Sequence, residues 1–579
     1  MCGISGIVVL EADAHAERAD FLQAVRDMVA HQRDRGPDDQ GLWNGGGAYF
    51  GHTRLAIMDP GSDLARQPVV TDDWTIMFNG EIYNFRALGE RLRRDHGVVI
   101  ESASDTEVLV RAIQTWGFEA TLPELNGIFA IAAFDRRRHE LFLARDRLGV
   151  KPLFYCETDN ALWFASTPAA IALGSGARWQ LNYDAVAAFF RLGTTFSEDT
   201  LFTGISRLPA GTWLHISLSG VSAPHKYWLP RYRPGELTAE IERAVSLQRE
   251  SHVRSAVFLS GGVDSSVMAS MLHEMDCFHL KSEETRYAQY VADHAQSTLT
   301  ISGYGETRDF DVFNDAYIAS SGEPSASAPI PYLIANRIHA AGYKVAFSAN
   351  GADELFFGYP RTPAPELSPS HTPANLYETP PVQDADAQFR HVMRARKLLR
   401  VANASETDAD EVLARFEAVD ADLDPAFPDS ARYRWRELKS YVEFDLNPTL
   451  DFSSMACSLE VRVPFLDHLL VEAALSAPAD EIVSADLGRK TPLKRLLKSA
   501  GIHPLLWARP KVGFSVPRED RQARDRSARK SLLKLQRSGL LKISRGLSTG
   551  SRDELYLLAA AHAFDRWLKI WVDREIVVL

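Results

Sequence analysis

The segment at residues 253–271, VRSAVFLSGGVDSSVMASM, constrains the fold of this chain more than any other. Its residues 256–259 are all apolar, as in a buried strand, and after Val263 apolar residues recur at helical spacing. The pattern predicts a strand, a tight turn and a helix, and glycine amides at such a helix start can hold a phosphate. We therefore expect a nucleotide site in which an aspartate carboxylate is available to Mg²⁺. Its residues are Ser260, Gly261, Gly262, Asp264, Ser265 and Ser266.

The motif in this segment is not a P-loop, because the pattern GxxxxGK[ST] is absent from it. A bare SGG is equally typical of an ordinary strand-to-helix turn. The complete SGGVDSS after an apolar strand is more specific, and it resembles the pyrophosphate loop of the ATP-pyrophosphatase superfamily. That resemblance implies an enzyme that cuts ATP between its α and β phosphates to make an acyl-adenylate.

The composition is that of a globular protein with sizeable cores, since 45% of the 579 residues are hydrophobic and 24% are charged. A net charge of −12 argues against a nucleic-acid-binding surface, and no run of about 18 apolar residues indicates a membrane span. The four cysteines include no CxxC pair, which favours a reducing compartment and excludes a cysteine-rich zinc site. The start of the chain lacks the basic and apolar regions of a secretory signal, so we expect a cytoplasmic protein.

Cys2 follows Met1 directly and opens a strand-like run at residues 3–10. Removal of Met1 would leave an α-amino group with a pKa of about 8 beside the thiol, where it can act as a base. Position alone is weak evidence, since an early cysteine more commonly has no catalytic meaning. Five motifs that follow change this interpretation: RGPD at 35–38, GHTRLAI at 51–57, FNGEIYN at 78–84, SDTE at 104–107 and ARDRLGVKP at 144–152.

Together with Cys2, these motifs resemble the class II glutamine amidotransferase domain of the N-terminal-nucleophile family. The Asn-Gly pair at 79–80 alone is typical of a hairpin, and Arg54 alone is typical of a surface charge, but neither reading explains the ordered set of motifs. The resemblance implies that Cys2 attacks the glutamine amide, forms a γ-glutamyl thioester and releases ammonia. It also implies an αββα sandwich for a domain spanning residues 1–229.

The chemistry of glutamine suits the residues that this resemblance assigns to it. The planar guanidinium of Arg54 matches the α-carboxylate, and Asp105 matches the α-ammonium group. The side chain of Asn79 and the backbone N–H of Gly80 can form the oxyanion hole. The implied catalytic residues are Cys2, Asn79 and Gly80, and the implied glutamine site comprises Arg54, Leu55, Ile57, Asn79, Gly80, Glu81 and Asp105.

Residues 236–579, which follow a linker at 230–235, resemble the synthetase half of asparagine synthetase. The resemblance implies a doubly wound parallel α/β domain with added helices, so the fold class of the whole chain is α/β and α+β. Leu259 and Leu280 occupy positions that contact adenine in that family. An internal ammonia channel between the domains is also implied, while the sequence leaves the quaternary state open, a homodimer included.

A second motif of this half, SANGADELFFGY at residues 348–359, resembles the family pattern SG[DE]G-small-DE-[LV]-F-x-GY. Asp353 is then the second Mg²⁺ carboxylate beside Asp264, and Ser348 and Ala349 contact the nucleotide. Two carboxylates from separate strand ends can clamp Mg²⁺ and pyrophosphate. The implied acceptor and adenylate site comprises Asn350, Asp353 and Lys490, of which Lys490 is also catalytic and lies in the later motif GRKTPLK.

Asn350 and Ala349 depart from the family pattern, which has an acidic residue and a glycine at these positions. Asparagine has the shape of aspartate, but it carries no charge and accepts no proton. The change lies at the implied acceptor site, so it puts L-aspartate as the acceptor in question and leaves the glutaminase residues untouched.

Four other segments carry interpretations of their own. The proline-rich segment 360–381 is typical of a loop, and whether it covers the ATP site as a lid stays open. Glu460 and Arg462 are expected to form an internal ion pair. RPKVGF at 509–514 resembles a late basic motif on pyrophosphate, and the basic segment 521–545 is expected to be a helix with a solvated face.

We therefore predict a glutamine-dependent amidotransferase of the asparagine synthetase family that uses ATP and Mg²⁺. Its small-molecule substrates would be L-glutamine, ATP and a carboxylic acid such as L-aspartate, with no nucleic-acid or membrane partner. A relative that amidates another carboxylate is the main alternative, and Asn350 favours it. A lactam-forming synthetase would need no glutaminase, and a non-catalytic regulator would need neither set of site residues, so both are weaker alternatives.

Overall fold

The computed structural model describes residues 2–10, 18–195, 197–304, 307–359, 399–401, 404, 415, 417–509, 518–543 and 552–579. The proline-rich segment 360–381 and residues 510–514 of the late basic motif lie outside these ranges. None of the helices within them is long and apolar enough to cross a membrane.

The first half of the chain, up to residue 229, is rich in strands. These are β1 (Cys2–Val9), β2 (Asp39–Gly45), β3 (Ala48–Arg54), β4 (Val69–Val70), β5 (Trp74–Ile82), β6 (Gly127–Asp135), β7 (Glu140–Arg145), β8 (Phe154–Glu157), β9 (Ala161–Ala165), β10 (Trp179–Gln180), β11 (Ser206–Arg207), β12 (Thr212–Ser217), β13 (Gly220–Val221) and β14 (His225–Lys226). The helices are α1 (Ala19–His31), α2 (Phe85–His96), α3 (Asp105–Trp116), α4 (Phe118–Thr121), α5 (Pro168–Gly174) and α6 (Tyr183–Leu192), with 3₁₀ turns at Arg33–Arg35, Asp63–Ala65 and Leu122–Glu124.

Two antiparallel sheets lie face to face in this half. One has the strand order β11-β8-β9-β1-β3-β2, and the other has the order β13-β12-β7-β6-β5-β4 with β14 beside β12. Apolar side chains of both sheets form the core between them, including Ile4 and Phe50 from the first and Met77 and Leu143 from the second. Helices α1 and α5 contact the first sheet and α3 contacts the second. The predicted αββα sandwich is therefore confirmed.

The second half of the chain, from residue 236, is rich in helices. Its strands are β15 (Ser255–Phe258), β16 (Cys277–Leu280), β17 (Leu299–Ser302), β18 (Val345–Phe347), β19 (Leu399–Val401), β20 (Glu460–Arg462), β21 (Val483–Ser484), β22 (Gly488–Arg489), β23 (Leu541–Ile543) and β24 (Val577–Val578). Its helices are α7 (Leu237–Gln248), α8 (Val263–Met271), α9 (Thr285–His294), α10 (Thr307–Ser321), α11 (Pro329–Ala340), α12 (Ala352–Leu355), α13 (Ser430–Glu437), α14 (Asn447–Met455), α15 (His468–Ser476), α16 (Ala479–Ile482), α17 (Thr491–Ser499), α18 (Pro504–Trp507), α19 (Arg518–Arg537) and α20 (Arg552–Trp571). A π-helical segment, Leu438–Leu446, precedes α14, and a 3₁₀ turn spans Pro464–Leu466.

A parallel sheet with the strand order β17-β16-β15-β18-β20 forms the centre of this half. All four neighbouring pairs are parallel, as predicted for a doubly wound domain. The chain reverses its direction of winding between β15 and β18, and ligands of such sheets bind at the carboxyl ends of the strands at this switch point. The glycine turn after β15 and the SANGADEL motif after β18 therefore reach the same crevice.

Up to residue 543, where the description of this part of the chain ends, the basic segment predicted as one helix over 521–545 forms two elements instead. Helix α19 ends at Arg537, and residues 541–543 form β23, which pairs with β19. Gly539 lies between the two elements with a φ of +79°, in the left-handed region that favours glycine and ends helices. Helix α19 has the expected solvated face, with Arg529, Lys530 and Lys534 exposed, while Ser531 and Leu535 on its other face are buried.

The last elements of the chain pack against the first half. Trp567 and Trp571 of α20 are buried, and both rings lie edge-to-face against Phe202, with centroid distances of 5.6 and 5.1 Å. Strand β24 also pairs with β10. The two halves therefore share a hydrophobic core, which holds their sites in a defined relation.

Candidate active sites

Cys2 begins β1, where the register of β1 with β3 places it opposite Arg54. Its backbone N–H donates to Oδ1 of Asn79 at 3.0 Å, and the residue is only 6% exposed. Burial raises the pKa of the Cys2 thiol, while the Leu55 backbone N–H and the charge of Arg54 act in the opposite direction. A thiol in this environment needs a base to become the attacking thiolate. Loss of Met1 would convert the backbone nitrogen of Cys2 to an amine, and this is the nitrogen that is hydrogen-bonded to Asn79.

Asn79 and Gly80 lie next to each other on β5. Nδ2 of Asn79 is buried and has no hydrogen-bond partner among the described residues. A Cβ at Gly80 would lie 2.0 Å from the carbonyl oxygen of Ile128 on the paired strand β6, so only glycine fits there. A buried amide donor next to the nucleophile is the group that an oxyanion hole requires.

Arg54 ends β3 directly beside Cys2. Its side chain is buried, and Nη2 donates to the carbonyl oxygen of Asp59 at 3.2 Å. Leu55 and Ile57, also predicted to contact glutamine, are buried in the loop that follows. A guanidinium withdrawn from bulk water binds a carboxylate more strongly than an exposed one would.

Asp105, the first residue of α3, is the carboxylate predicted to bind the substrate ammonium. Its Oδ2 accepts a hydrogen bond from the Ile82 N–H at 2.9 Å, and burial raises the pKa of Asp105 to about 6. The pKa of Glu81 is raised well above its usual value by burial and then by the nearby charge of Glu460. A cationic ligand would offset the cost of burying these acids.

A buried ion network joins this site to the second half of the chain. Nε of Arg462 donates to Oε1 of Glu460 at 2.7 Å, and neither residue is exposed, so the expected internal pair is present. Nη2 of Arg462 also lies 3.6 Å from Oε2 of Glu81. The backbone carbonyl of Arg462 accepts a hydrogen bond from the Ser348 N–H at 2.9 Å. Arg462 thus contacts both predicted sites, a link that no local sequence pattern indicates.

The glycine turn after β15 is held together by its own hydroxyl groups. The Ser260 N–H donates to Oγ of Ser265 at 3.0 Å, and Oγ of Ser266 donates to the Gly262 carbonyl at 2.7 Å. Gly261 has a φ of +85°, and a Cβ there would lie 2.8 Å from a carbonyl oxygen. Gly262 caps α8 without a side chain, which leaves the first N–H groups of the helix available to an anion.

The surroundings of this turn include three of the other predicted contacts. Leu259 directly follows β15, and Leu280 is the last residue of β16. Both lie at the carboxyl edge of the sheet, and each is 1% exposed. Nη2 of Arg509 donates to the Gly261 carbonyl at 2.7 Å, and its guanidinium pairs with the carboxylate of Glu284. The first residue of the late basic motif therefore lies against the predicted pyrophosphate turn.

The turn after β18 carries Ser348 and Asn350. Oγ of Ser348 donates to Oδ1 of Asn350 at 2.9 Å, so the amide oxygen is engaged within the turn. Ala349 between them is half-buried. Gly351 has a φ of +95°, and a Cβ there would lie 2.5 Å from Cδ2 of Leu466, so the turn requires glycine.

Lys490 joins the two predicted Mg²⁺ ligands. Its Nζ lies 2.6 and 2.5 Å from the carboxylate oxygens of Asp264, and it also pairs with Oδ1 of Asp353. Burial alone would lower the pKa of Lys490, but the charges of both aspartates raise it.

Gly358, which is not among the predicted site residues, packs against this ion pair: a Cβ on it would lie 1.8 Å from Asp353 Oδ1 and 2.3 Å from Lys490 Cε. The Gly-Tyr pair that ends the motif at 348–359 is the sequence signal that could have indicated Gly358 as a site residue.

An ammonium bridging two carboxylates shows that this position accommodates a cation. No group of three or more His, Cys, Asp or Glu side chains suited to a metal exists in the part of the chain that the structure describes. Two carboxylates suit Mg²⁺ nonetheless, because this ion keeps several waters and binds substrate phosphates rather than an all-protein cage. The residues present therefore fit a nucleotide-bound Mg²⁺ held by Asp264 and Asp353.

Comparison with protein families identifies both halves of the chain. Residues 1–228 match the family model described as a glutamine amidotransferase domain, and residues 236–573 match the model described as asparagine synthase. This chain belongs to the asparagine synthase family. The enzyme is a glutamine-dependent, ATP-using ligase, as the sequence motifs predicted. We refer below to the glutaminase half and the synthetase half.

Three curated relatives illustrate the likeness. A Mycobacterium tuberculosis protein bearing the name of a glutamine-hydrolysing asparagine synthetase is 29% identical, over 89% of this chain and 88% of its own. Glutamine-hydrolysing asparagine synthetase 3 of Bacillus subtilis is 29% identical, over 83% of this chain and 81% of its own. A Methanocaldococcus jannaschii protein of the same name is 30% identical, over 62% of this chain and 76% of its own.

Proposed function

We propose that this enzyme adenylates a carboxylic acid with ATP and converts it to an amide with ammonia that Cys2 releases from glutamine. The co-products are AMP, pyrophosphate and glutamate. One observation carries the proposal: Asp264 and Asp353, from the first turns of the helices that follow two separate strands, meet on one cation, the ammonium of Lys490. The relatives named as glutamine-hydrolysing asparagine synthetases support the same reaction class.

In the glutaminase half, the terminal amine takes the thiol proton of Cys2, and the thiolate attacks the amide carbon of glutamine. Nδ2 of Asn79 donates to the carbonyl oxygen as negative charge develops on it. The amine returns the proton to the leaving nitrogen, so that ammonia departs and a thioester stays on Cys2. Water then hydrolyses the thioester to glutamate and restores the thiol.

In the synthetase half, an oxygen of the acceptor carboxylate attacks the α-phosphorus of ATP and pyrophosphate leaves. The turn at 260–266 and the side chain of Arg509 lie where they can bind this leaving group. Mg²⁺ held by Asp264 and Asp353 would neutralise charge on the phosphates. Lys490 supplies a second positive charge at the same place. Ammonia then attacks the acyl carbon, AMP leaves, and a proton is released as the amide forms.

A small cavity between the halves supports internal transfer of the ammonia. It is lined by Tyr83, which closely follows β5 of the glutaminase site, and by Gln248 and Leu466 of the synthetase half. The Tyr83 hydroxyl and Oε1 of Gln248 are buried without a hydrogen-bond partner in the described residues, so they can serve a small polar molecule. Leu466 in turn contacts Gly351 of the ATP site. Such a route keeps water away from the adenylate.

A second candidate function concerns the acceptor, and Asn350 is the observation that favours it. A neutral amide stands where the family pattern has an acid, and its oxygen already accepts a hydrogen bond from Ser348 at 2.9 Å. The group cannot accept a proton or attract a cationic group by charge. An acceptor other than L-aspartate, amidated in a specialised pathway, suits this turn better.

A panel of carboxylic acids distinguishes the two candidates. Each acid is added to enzyme, ATP, Mg²⁺ and glutamine, pyrophosphate release is measured, and amide and AMP are identified by mass spectrometry. We expect aspartate to give no release above background and another acid to give stoichiometric AMP. Rapid release with aspartate would identify an asparagine synthetase, and AMP formation with no acid at all would contradict the adenylation proposal.

A further inference from the structure

The loop at residues 54–59, here called the glutamine loop, is held by a clip from Asp38. The Asp38 N–H donates to the carbonyl oxygen of Arg54 at 3.0 Å, and its Oδ2 accepts from the Ala56 N–H at 2.7 Å. The clip therefore determines the path of the chain immediately after the Arg54 guanidinium. Asp38 is the last residue of the RGPD motif, so this clip lies within the glutaminase half.

A lysine of the synthetase half forms an ion pair with the Asp38 carboxylate. Nζ of Lys344 lies 2.8 and 2.7 Å from the two carboxylate oxygens of Asp38. Both side chains are partly exposed, at 35% and 27%. Lys344 directly precedes β18, the strand whose other end carries the Ser348–Asp353 turn.

The far end of the glutamine loop is held in a similar way. Asp59 has a φ of +43°, unusual for a residue with a side chain, and its carbonyl accepts from Nη2 of Arg54 at 3.2 Å. Its N–H donates to Nδ1 of His252 at 2.9 Å, and its Oδ2 accepts from the Ala103 N–H at 3.0 Å. His252 lies three residues before β15, the strand that ends at the glycine turn.

The same two strands therefore carry the ATP site at one end and contacts to the glutamine loop at the other. We propose that Lys344 and His252 are positioning residues that hold Arg54 ready for the glutamine carboxylate, so that the synthetase half completes the glutamine site. This inference rests on the proposed function, in which Arg54 binds glutamine. Both residues contact the glutamine loop through Asp38 and Asp59 and are not among the residues assigned to glutamine, so their loss should weaken binding more than it slows the reaction.

Steady-state glutaminase kinetics of the full-length enzyme test this inference. We expect Lys344→Met to raise KM for glutamine about fivefold, equivalent to about 1 kcal/mol, with kcat within twofold of the wild type. Lys344→Arg keeps the charge and should restore KM. Likewise His252→Ala should raise KM, whereas His252→Asn, which keeps an acceptor, should restore it.

Lys226→Met is the matched control, because Lys226 also forms an ion pair across the two halves, with Asp422, but does not contact the glutamine loop. Its KM should not change. An unchanged KM in both Lys344→Met and His252→Ala would overturn the inference. So would equal rises in Lys226→Met and Lys344→Met, or a fall in kcat without a rise in KM, since either would indicate a general structural effect.

Arg54→Leu separates failure of the inference from failure of the proposed function. If Arg54 binds glutamine, this variant should raise KM by about a hundredfold, and an unchanged KM would refute the proposed glutamine site itself. A large rise in Arg54→Leu together with none in Lys344→Met would refute only the positioning role. Ammonium-driven amide formation by Lys344→Met should match the wild type, and its loss would show that β18 rather than the loop was disturbed.

Discussion

The two sites of this enzyme differ in what holds their residues together. In the glutaminase site, Cys2 and Arg54 are opposite each other in the register of β1 and β3, and Asn79 comes from β5 of the facing sheet. In the ATP site, Asp353 and Lys490 come from segments far apart in the chain and meet through charge. Strand pairing thus positions Cys2 and Arg54 of the first site, whereas ion pairs join the residues of the second.

This difference bears on which residues can be exchanged without moving the scaffold around them. A shift of one residue in β1 or β3 would turn Cys2 or Arg54 to the opposite face of the sheet. A turn at the end of a strand can exchange one side chain while its scaffold stays the same. The departures from the expected family pattern, at Ala349 and Asn350, accordingly lie in a turn and not among the strand residues around Cys2.

The largest expected effect separates the two sites completely. Cys2→Ala should reduce glutamine-dependent amide formation about a thousandfold or more, because no other group supplies the nucleophile. Ammonium-driven amide formation should persist, since the ATP site uses none of the strands around Cys2. Glutamate release and product are measured with each nitrogen source. Cys156→Ala, another buried cysteine of the same half, is the control, and loss of both activities in Cys2→Ala would contradict the separation.

The next largest effect concerns Lys490, whose positive charge pairs with both aspartates of the ATP site. Lys490→Met should reduce acceptor-dependent pyrophosphate release by about a hundredfold, because a positioned charge on the phosphates is lost. Glutaminase activity should change less than twofold. Lys494→Met is the control, since its Nζ donates to the Leu487 carbonyl instead of the aspartates. Equal losses in the two variants, or none in Lys490→Met, would remove the reason for assigning Lys490 to the site.

The smallest effect is a pH dependence confined to the glutaminase site. Burial raises the pKa of Asp105 to about 6, so the carboxyl is neutral below this pH and cannot attract the ammonium group of glutamine. Protonation of the terminal amine already lowers kcat/KM for glutamine below about pH 8, so we expect the fall to become about tenfold per pH unit steeper below pH 6. Glutamate release between pH 5 and 8 measures it, with acceptor-dependent ATP–pyrophosphate exchange as the comparison. A flat glutamine profile down to pH 5 would contradict the role of Asp105.

Much of the fold could be predicted from the sequence, because the relevant signals are local. The apolar run, glycine turn and helix at 253–271 appear as β15, a turn at Gly261 and α8. The expected sandwich and parallel sheet are both confirmed. The prediction of a single basic helix is wrong beyond Arg537, because the charge pattern alone does not indicate that β23 pairs with β19.

The candidate sites show the same limit. Motifs identified Asp264, Asp353 and Lys490 separately, but only the structure shows one ammonium between two carboxylates. Contacts between distant segments, such as Lys344 with Asp38, leave no mark in any single motif. Each partner alone is typical of an ordinary surface charge.

By itself, the sequence determined the chemistry that this protein can carry: a terminal thiol with its amide donor, and a glycine turn with acidic and basic groups for a nucleotide. Residue types and short spacings suffice for that, because reactivity and turn geometry are local properties. The tertiary structure alone decided which strand ends meet at the switch point and how Arg462 and the Lys344–Asp38 pair join the halves. These arrangements depend on sheet order and packing, which bring together residues hundreds of positions apart.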